Sequence, residues 1–243
     1  MADPTVAATT PDGRSRGGVA VIEEILPPEA VAADTREELL EIELFPQERV
    51  AMGQAVEKRE REFITGRACA RLALAQLGLP PSPIAAGERG QPLWPAGVVG
   101  SITHCDGYRA CALARAGEFA GVGIDAEPHL PLPAGVIGEI AREEERPMLA
   151  RLTSEQPAVH WDRLLFCAKE TVYKVWFPIA RCWLGFEDAV LSIDPAGRTF
   201  DARLLTPWPE VGIRFPHVLR GRWLVRDGLV LAALALPDTI ADH

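Results

Sequence analysis

Apolar residues recur at two different spacings along this chain, and the switches between them divide it. Over residues 46–77, Met52, Val56, Phe63, Ala70, Leu74 and Leu77 fall on one face at a period of 3.6. That predicts a helix, ended by Gly78 and Pro80. A Pro/Gly-rich loop follows. The period then drops to two: residues 98–104, 108–115 and 119–127 read as strands joined by the turns Cys105-Asp106-Gly107 and Ala116-Gly117-Glu118, an antiparallel meander. Helical spacing returns over 136–152, interrupted at Pro147, and over 161–177. In the second, Trp161, Leu164, Leu165, Ala168, Val172, Val175 and Trp176 make one apolar face. Strands close the chain at 189–193, 199–205, 220–225 and 229–236, with turns at Asp194-Pro195-Ala196-Gly197 and Asp227-Gly228.

Each half is thus helix first, sheet second. The order predicts an α+β fold of two similar subdomains, residues 19–121 and 122–243, packed together and joined near 121–135. Residues 1–18 carry no periodicity and read as a mobile tail. Residues 19–26 suit a short strand, and the acidic stretch to Glu43 suits a loop.

Composition narrows the function. The 243 residues are 48% hydrophobic and 24% charged, as in an ordinary globular protein. With 25 basic and 34 acidic residues the net charge is −9, which argues against a general nucleic-acid binder. No apolar run is long enough to span a bilayer, and no basic-then-apolar leader opens the chain, so a cytoplasmic, membrane-free location is expected. The five cysteines are odd in number and lack C-x-x-C spacing, which favours reduced thiols.

Candidate chemistry centres on the stretch GVGIDAEP, residues 121–128. Strand alternation turns Val122, Ile124 and Ala126 one way and Gly121, Gly123, Asp125 and Glu127 the other. Two carboxylates then share a face whose remaining members have no side chain, which admits a close approach. Such a pair needs a proton, a cation or solvent. Mg²⁺, which takes one or two protein carboxylates and completes its shell with water and phosphate, meets that need. A solvated strand end meets it too, and the spacing alone does not choose.

The helix over 161–177 carries Glu170, with Lys174 one turn on. This is also the usual solvent-facing pair of a helix. Phe166, Tyr173 and Phe177 crowd the same side, however, so that side is expected to meet something. A third carboxylate beside a lysine suits metal-assisted phosphoryl chemistry. Arg59 and Arg67 lie four residues either side of Phe63. They either snorkel along the core edge or grip a phosphate. His104 ends the first strand of the meander, as a structural residue or a phosphate donor.

Taken together, GVGIDAEP, HWDRLLFCAKETVYKVWFP and WLGFEDA resemble the 4′-phosphopantetheinyl transferases of the Sfp/EntD superfamily. REFITGRACAR, GERGQPLWP and SITHCDGYRACA are similar to its actinobacterial, PptT-like members, and the resemblance spans residues 58–236. It implies two pseudo-symmetric α+β halves with the active site between them. It implies transfer of the phosphopantetheine arm of coenzyme A to a serine of an acyl or peptidyl carrier protein, releasing adenosine 3′,5′-bisphosphate. By the same resemblance Asp125, Glu127 and Glu170 would hold Mg²⁺, with Mn²⁺ as a substitute. Glu170 would also act as base, and Lys174 would stabilise the departing phosphate with help from Lys169. Arg59, Arg67, His104, Ser101 and Thr103 would lie along the coenzyme A phosphates. Tyr173 and Trp183 would line the pantetheine arm. Ala86 stands where related sequences often carry a lysine, and Arg89 is the candidate to compensate.

Two rivals stand beside this: a metal-dependent hydrolase or phosphoryl transferase acting on a nucleotide, and an inactive carrier-binding module. Carrier domains in such systems are acidic, so a net charge of −9 calls for a local docking patch. The run Arg142-Glu143-Glu144-Glu145-Arg146 reads as a solvated face rather than that patch. A monomer is expected, since the duplication supplies both halves of the site.

Overall fold

A computed structural model of the chain describes residues 20–54, 56–209 and 216–238. The tail expected over 1–18, and Val19 of the strand expected after it, lie outside the described residues. The rest of that strand is instead a 3₁₀ turn, Val21–Ile25, whose Ile22 and Ile25 are three apart and both buried. The strand comes later, in the segment read as loop: β1, Val31–Thr35.

The helix expected over 46–77 is two helices, α1 (Pro46–Met52) and α2 (Glu57–Gln76). Gly53, at φ 58°, turns the chain between them. Val56, placed on the apolar face from its spacing, instead precedes α2 and is 74% exposed. What α2 buries is mostly small, including Gly66, Ala68, Cys69, Ala70 and Ala73. The helix therefore lies close against its sheet.

A minimal hairpin of β2 (Ala85–Ala86) and β3 (Pro92–Leu93) leads to β4 (Val98–Cys105), β5 (Tyr108–Arg115) and β6 (Phe119–Pro128). The meander stops after two strands. β5 pairs with β4 on one edge and β1 on the other, giving a three-stranded sheet ordered β1-β5-β4. With both edges of β5 filled, β6 crosses into the second half.

That half begins with α3 (Val136–Ile140) and α4 (Arg146–Glu155), where Pro147 sits in the first turn and its missing N–H breaks nothing. Then come α5 (Trp161–Ala180) and the strands β7 (Ala189–Asp194), β8 (Thr199–Leu204), β9 (Val218–Arg226) and β10 (Leu229–Pro237). All pairings in this five-stranded sheet, ordered β6-β10-β9-β8-β7, are antiparallel. The apolar face expected of α5 is buried against it. A second core lies between the sheets, where Tyr108, Ala110 and Ala112 meet Ile124, Ala126 and Leu231. The fold is α+β, with two halves that share a core.

β4 and β6 meet at a seam made by side chains. The Ile124 N–H donates to Ser101 Oγ at 2.7 Å, and the Ala126 N–H to Thr103 Oγ1 at 3.1 Å. The hydroxyls of one strand thus satisfy the buried amides of the next. This seam delivers the acidic end of β6 to the site.

Candidate active site

β6 can lie flush on α5 because Gly121 and Gly123 face the helix. A Cβ on Gly123 would collide with the Thr171 carbonyl oxygen and come within 2.7 Å of Val175 Cγ2. Strand and helix run in opposite directions. Two strand residues advance about 6.6 Å and four helix residues about 6 Å, so their faces stay in step. The next two residues on that strand face, Asp125 and Glu127, therefore meet polar side chains of the same helix.

Asp125 is 5% exposed. Its Oδ1 accepts from Thr103 Oγ1 at 3.0 Å and from Lys174 Nζ at 2.8 Å. Its Oδ2 is buried without a hydrogen-bond partner. Lys174 also donates to the Ile124 carbonyl at 3.0 Å. Glu127 accepts from Arg163 Nη1 at 2.8 Å. Glu170 sits between these two pairs, half-buried. Burial raises its pKa above the ordinary 4.5; Asp125 adds to the rise and Lys174 opposes it. Glu127 is raised likewise, by burial and then by Asp125, against Arg163.

These three carboxylates line one cavity of about 740 Å³ together with Arg59, Arg67, His104 and Lys174. The side facing the acids comes from α2. Arg67 Nε donates to the Ile84 carbonyl at 3.1 Å, and its guanidinium lies 4.0 Å from the Phe63 ring centroid. Burial pulls its pKa down to about 10. The stem of Arg67 thus packs along the core, as the first of its two sequence readings expects, and the residue also lines the cavity. Arg59 and His104 are exposed at the cavity edge, His104 lying 3.9 Å from Glu62. The structure therefore gathers Asp125, Glu127, Glu170, Lys174, Arg59, Arg67, Thr103 and His104.

Five candidates lie outside this cavity. Lys169 does not reach the cavity: its Nζ is buried and donates to Glu145 Oε2 at 2.9 Å and to the carbonyls of Ile140, Phe186 and Ala189. Glu145, read as solvated, is 1% exposed and is the centre of that knot. Ser101 serves the seam. Arg89 stays out of the large cavity, its guanidinium 5.8 Å from the Trp183 ring centroid, whereas Ala86 lines it. Tyr173 and Trp183, 5.2 Å apart by ring centroid, border an adjoining cavity of about 250 Å³. Glu170 borders both of these cavities, and a third of about 190 Å³ beside Arg89.

Two residues escaped the sequence reading. Glu62 lines the cavity beside His104; its position three after Arg59 on the same helix was the available signal. Arg163 stands seven residues before Glu170, hence on the same helical stripe.

A cation fits these donors. The unpartnered Asp125 Oδ2 and the mutual repulsion of three carboxylates are both relieved by one. As they stand, no group of three His, Cys, Asp or Glu among the described residues is gathered closely enough to hold a metal. Asp125 Oδ1 is taken by Lys174 and Thr103, and Glu127 by Arg163.

An acidic and a basic side thus face each other across one cleft, on two fused α+β halves. The chain belongs to the 4′-phosphopantetheinyl transferase superfamily, and within it is PptT-like. Its residues 46–114 match the 4′-phosphopantetheinyl transferase N-terminal domain, and 121–222 match the 4′-phosphopantetheinyl transferase superfamily domain. It is 52% identical to 4′-phosphopantetheinyl transferase Svp of Streptomyces mobaraensis over 79% of this chain and 78% of that one. It is 47% identical to Npt of Nocardia iowensis over 88% and 99% of the two chains. To PptT of Mycobacterium tuberculosis it is 49% identical over 79% and 86%.

Proposed function

We propose that this transferase moves the 4′-phosphopantetheine arm of coenzyme A to a serine of an apo acyl or peptidyl carrier protein, with Mg²⁺ bound. The observation that carries this is the shared cavity: Asp125 and Glu170 from one half, Arg59 and Arg67 from the other. Arginine forks suit phosphate groups. Asp125 and Glu170 are the residues that would hold the cation. When bound, Mg²⁺ supplies neutralisation of pyrophosphate charge.

The chain's own groups do the rest. Lys174 Nζ spends two of its three donors on Ile124 and Asp125. One remains for the departing phosphate. Glu170, whose raised pKa brings it closer to neutrality, takes the proton of the carrier serine. The serine oxygen forms a bond to the β-phosphorus as the bond to adenosine 3′,5′-bisphosphate breaks. The serine proton passes through Glu170 to solvent. Tyr173 and Trp183 give the pantetheine arm an aromatic wall beside Glu170.

Because one chain supplies both halves of the cleft, a monomer suffices. No helix among the described residues is long and apolar enough to cross a membrane. All five cysteines are free, in keeping with a reducing cytoplasm. Mass spectrometry of an apo carrier protein after incubation with enzyme, Mg²⁺ and coenzyme A tests the proposal. A gain of one phosphopantetheine is expected, lost in Glu170→Ala. Hydrolysis of coenzyme A without any carrier modification would sink it.

A further inference from the structure

Glu48 of α1 is fully buried and does not line the large cavity. Its Oε1 accepts from the Ile84 N–H at 3.1 Å. Its Oε2 accepts from the Phe45 N–H at 2.8 Å and from Arg71 Nη2 at 2.6 Å. The Ile84 carbonyl in turn accepts from Arg67 Nε at 3.1 Å. Both backbone polar groups of Ile84, itself fully buried, are thus fixed by side chains of two different helices. Ile84 is the root of the β2–β3 hairpin, and the hairpin needs one. Its ladder has two residue pairs, Ala85 with Leu93 and Ala86 with Pro92, too few to stand alone. Yet the hairpin supplies Ala86, Gly90 and Pro92 to the large cavity. Its tip sets the Arg89 guanidinium 5.8 Å from the ring centroid of Trp183, on the other half. Where the hairpin lies therefore shapes the basic side of the cleft. Glu48 also acts on Arg67 by charge: burial lowers the Arg67 pKa, and Glu48 is the strongest influence against it.

We infer that Glu48 is a positioning residue for the donor substrate: through Ile84, which it shares with Arg67, it holds the β2–β3 hairpin against the cleft and so sets how tightly coenzyme A binds, without touching it. This rests on coenzyme A being the donor, as proposed above. A ligand that engages Arg67 draws on the same residue, so binding and hairpin placement are linked.

Glu48→Gln in the full chain tests this. The amide oxygen goes to the side with two donors, one of them charged, which turns the amide NH₂ toward the Ile84 N–H. Hydrogen exchange over residues 84–93, read by mass spectrometry without ligand, should quicken at least about tenfold, the worth of one hydrogen bond to a charged group. The KM for coenzyme A should rise by a similar factor with kcat little changed. Arg71→Met is the control. It breaks the same ion pair but leaves the Glu48 carboxylate on Ile84, so exchange over 84–93 and KM should stay near the parent values even as stability falls. A merely structural role would move both variants together, each in proportion to its loss of stability. The inference is overturned if Glu48→Gln leaves the exchange or the KM unchanged, or if Arg71→Met raises KM as much. Should Glu48→Gln fail to fold, Arg67→Lys decides. One ammonium cannot serve both the Ile84 carbonyl and an anion, so coenzyme A should no longer slow exchange over 84–93 as it does in the parent. Slowing that persists in Arg67→Lys overturns the inference. If the parent chain does not bind coenzyme A at all, the donor reading falls, which is a separate failure; the ligand-free exchange contrast still tests the anchor.

Discussion

The two halves of the molecule share one structural device and line the cleft with opposite chemistry. Each half centres on a buried glutamate just before a long helix. In the first, Glu48 accepts from its own Phe45 N–H and from Arg71 on one oxygen, and from the Ile84 N–H on the other. In the second, Glu145 accepts from the Arg142 N–H and Lys169 on one oxygen, and from the Leu191 N–H on the other. In both, the glutamate caps its own segment three residues back, reaches an element beyond the long helix, and takes a cation from that helix. The cleft linings diverge. The first half offers Arg59, Arg67 and His104, the second Asp125, Glu127 and Glu170. A repeated scaffold can thus hold a basic side against an acidic one, and a pyrophosphate with its cation needs both.

The largest effects should come from the acidic side. Glu170→Gln should lower turnover by about 10²–10³-fold, the range for losing one group that acts on transition-state charge. Thermal stability should hold. Arg59→Gln, exposed on the opposite side, should raise KM for coenzyme A with kcat little changed, since it binds ground state and transition state alike. Equal losses of kcat in both variants would erase the division between the two sides.

Next come the two knots. Lys169→Met leaves Glu145 buried without its cation and should cost about 3–5 kcal/mol. Arg71→Met should cost less, about 1–3 kcal/mol, because Arg71 is 15% exposed and water can replace part of the pair. Urea unfolding of both variants ranks them; the reverse order would show that the two devices are not alike.

How much of this was legible beforehand depended on whether the signal was local. The buried face of α5 was readable because large apolar side chains repeat at one helical period over the whole element. The break at Gly53 was not: α2 packs through small residues, and the larger apolar residues of that stretch gave a false stripe that included Val56. The strands of the meander were correctly placed, but tight turns say nothing about which edge is already filled, so the passage of β6 to β10 was hidden. At the site, spacing put forward the acids, Lys174 and the two arginines only as candidates beside plainer readings, and the cavity gathers them. Lys169 was misplaced, and the cause lies in Glu145, which sits in a charge run and looks solvated. Only tertiary structure shows that the knot around it consumes every proton that Lys169 can donate. Arg163 was overlooked because its partner lies on another element.

The close approaches of helix to sheet offer a smaller contrast. In the second half the tight contact is at Gly123, against helix backbone at Thr171. In the first it is at Gly66, where an added Cβ would meet Ile102 Cγ2 at 3.2 Å, the tip of a side chain. Gly123→Ala should destabilise by about 1–3 kcal/mol and lower turnover by displacing Asp125 from Glu170. Gly66→Ala should be milder, since a methyl group can give by a few tenths of an ångström and alanine also favours the helix. Calorimetry with parallel activity assays would show whether the acidic side depends more on exact packing.

The smallest effect separates the two sides by pH. Burial raises the pKa of Glu170 above 4.5, with repulsion from Asp125 adding to it. The folded chain then holds that proton more tightly than the unfolded chain does. Between 4.5 and the raised value the native state binds more protons, so this group's contribution to stability falls as pH rises. Glu170→Gln removes the titration, so its stability relative to the parent should improve as pH rises through that window and then level off. Arg67 behaves oppositely and elsewhere. Burial lowers its pKa to about 10 from 12.5, so its contribution rises with pH only as pH passes about 10. Arg67→Met should therefore leave the acid and neutral part of the stability profile parallel to that of the parent. Urea midpoints at a series of pH values give both curves. If Arg67→Met changes the slope between pH 4.5 and neutrality as Glu170→Gln does, the electrostatics of the two sides are coupled across the cleft more strongly than their separate burial implies.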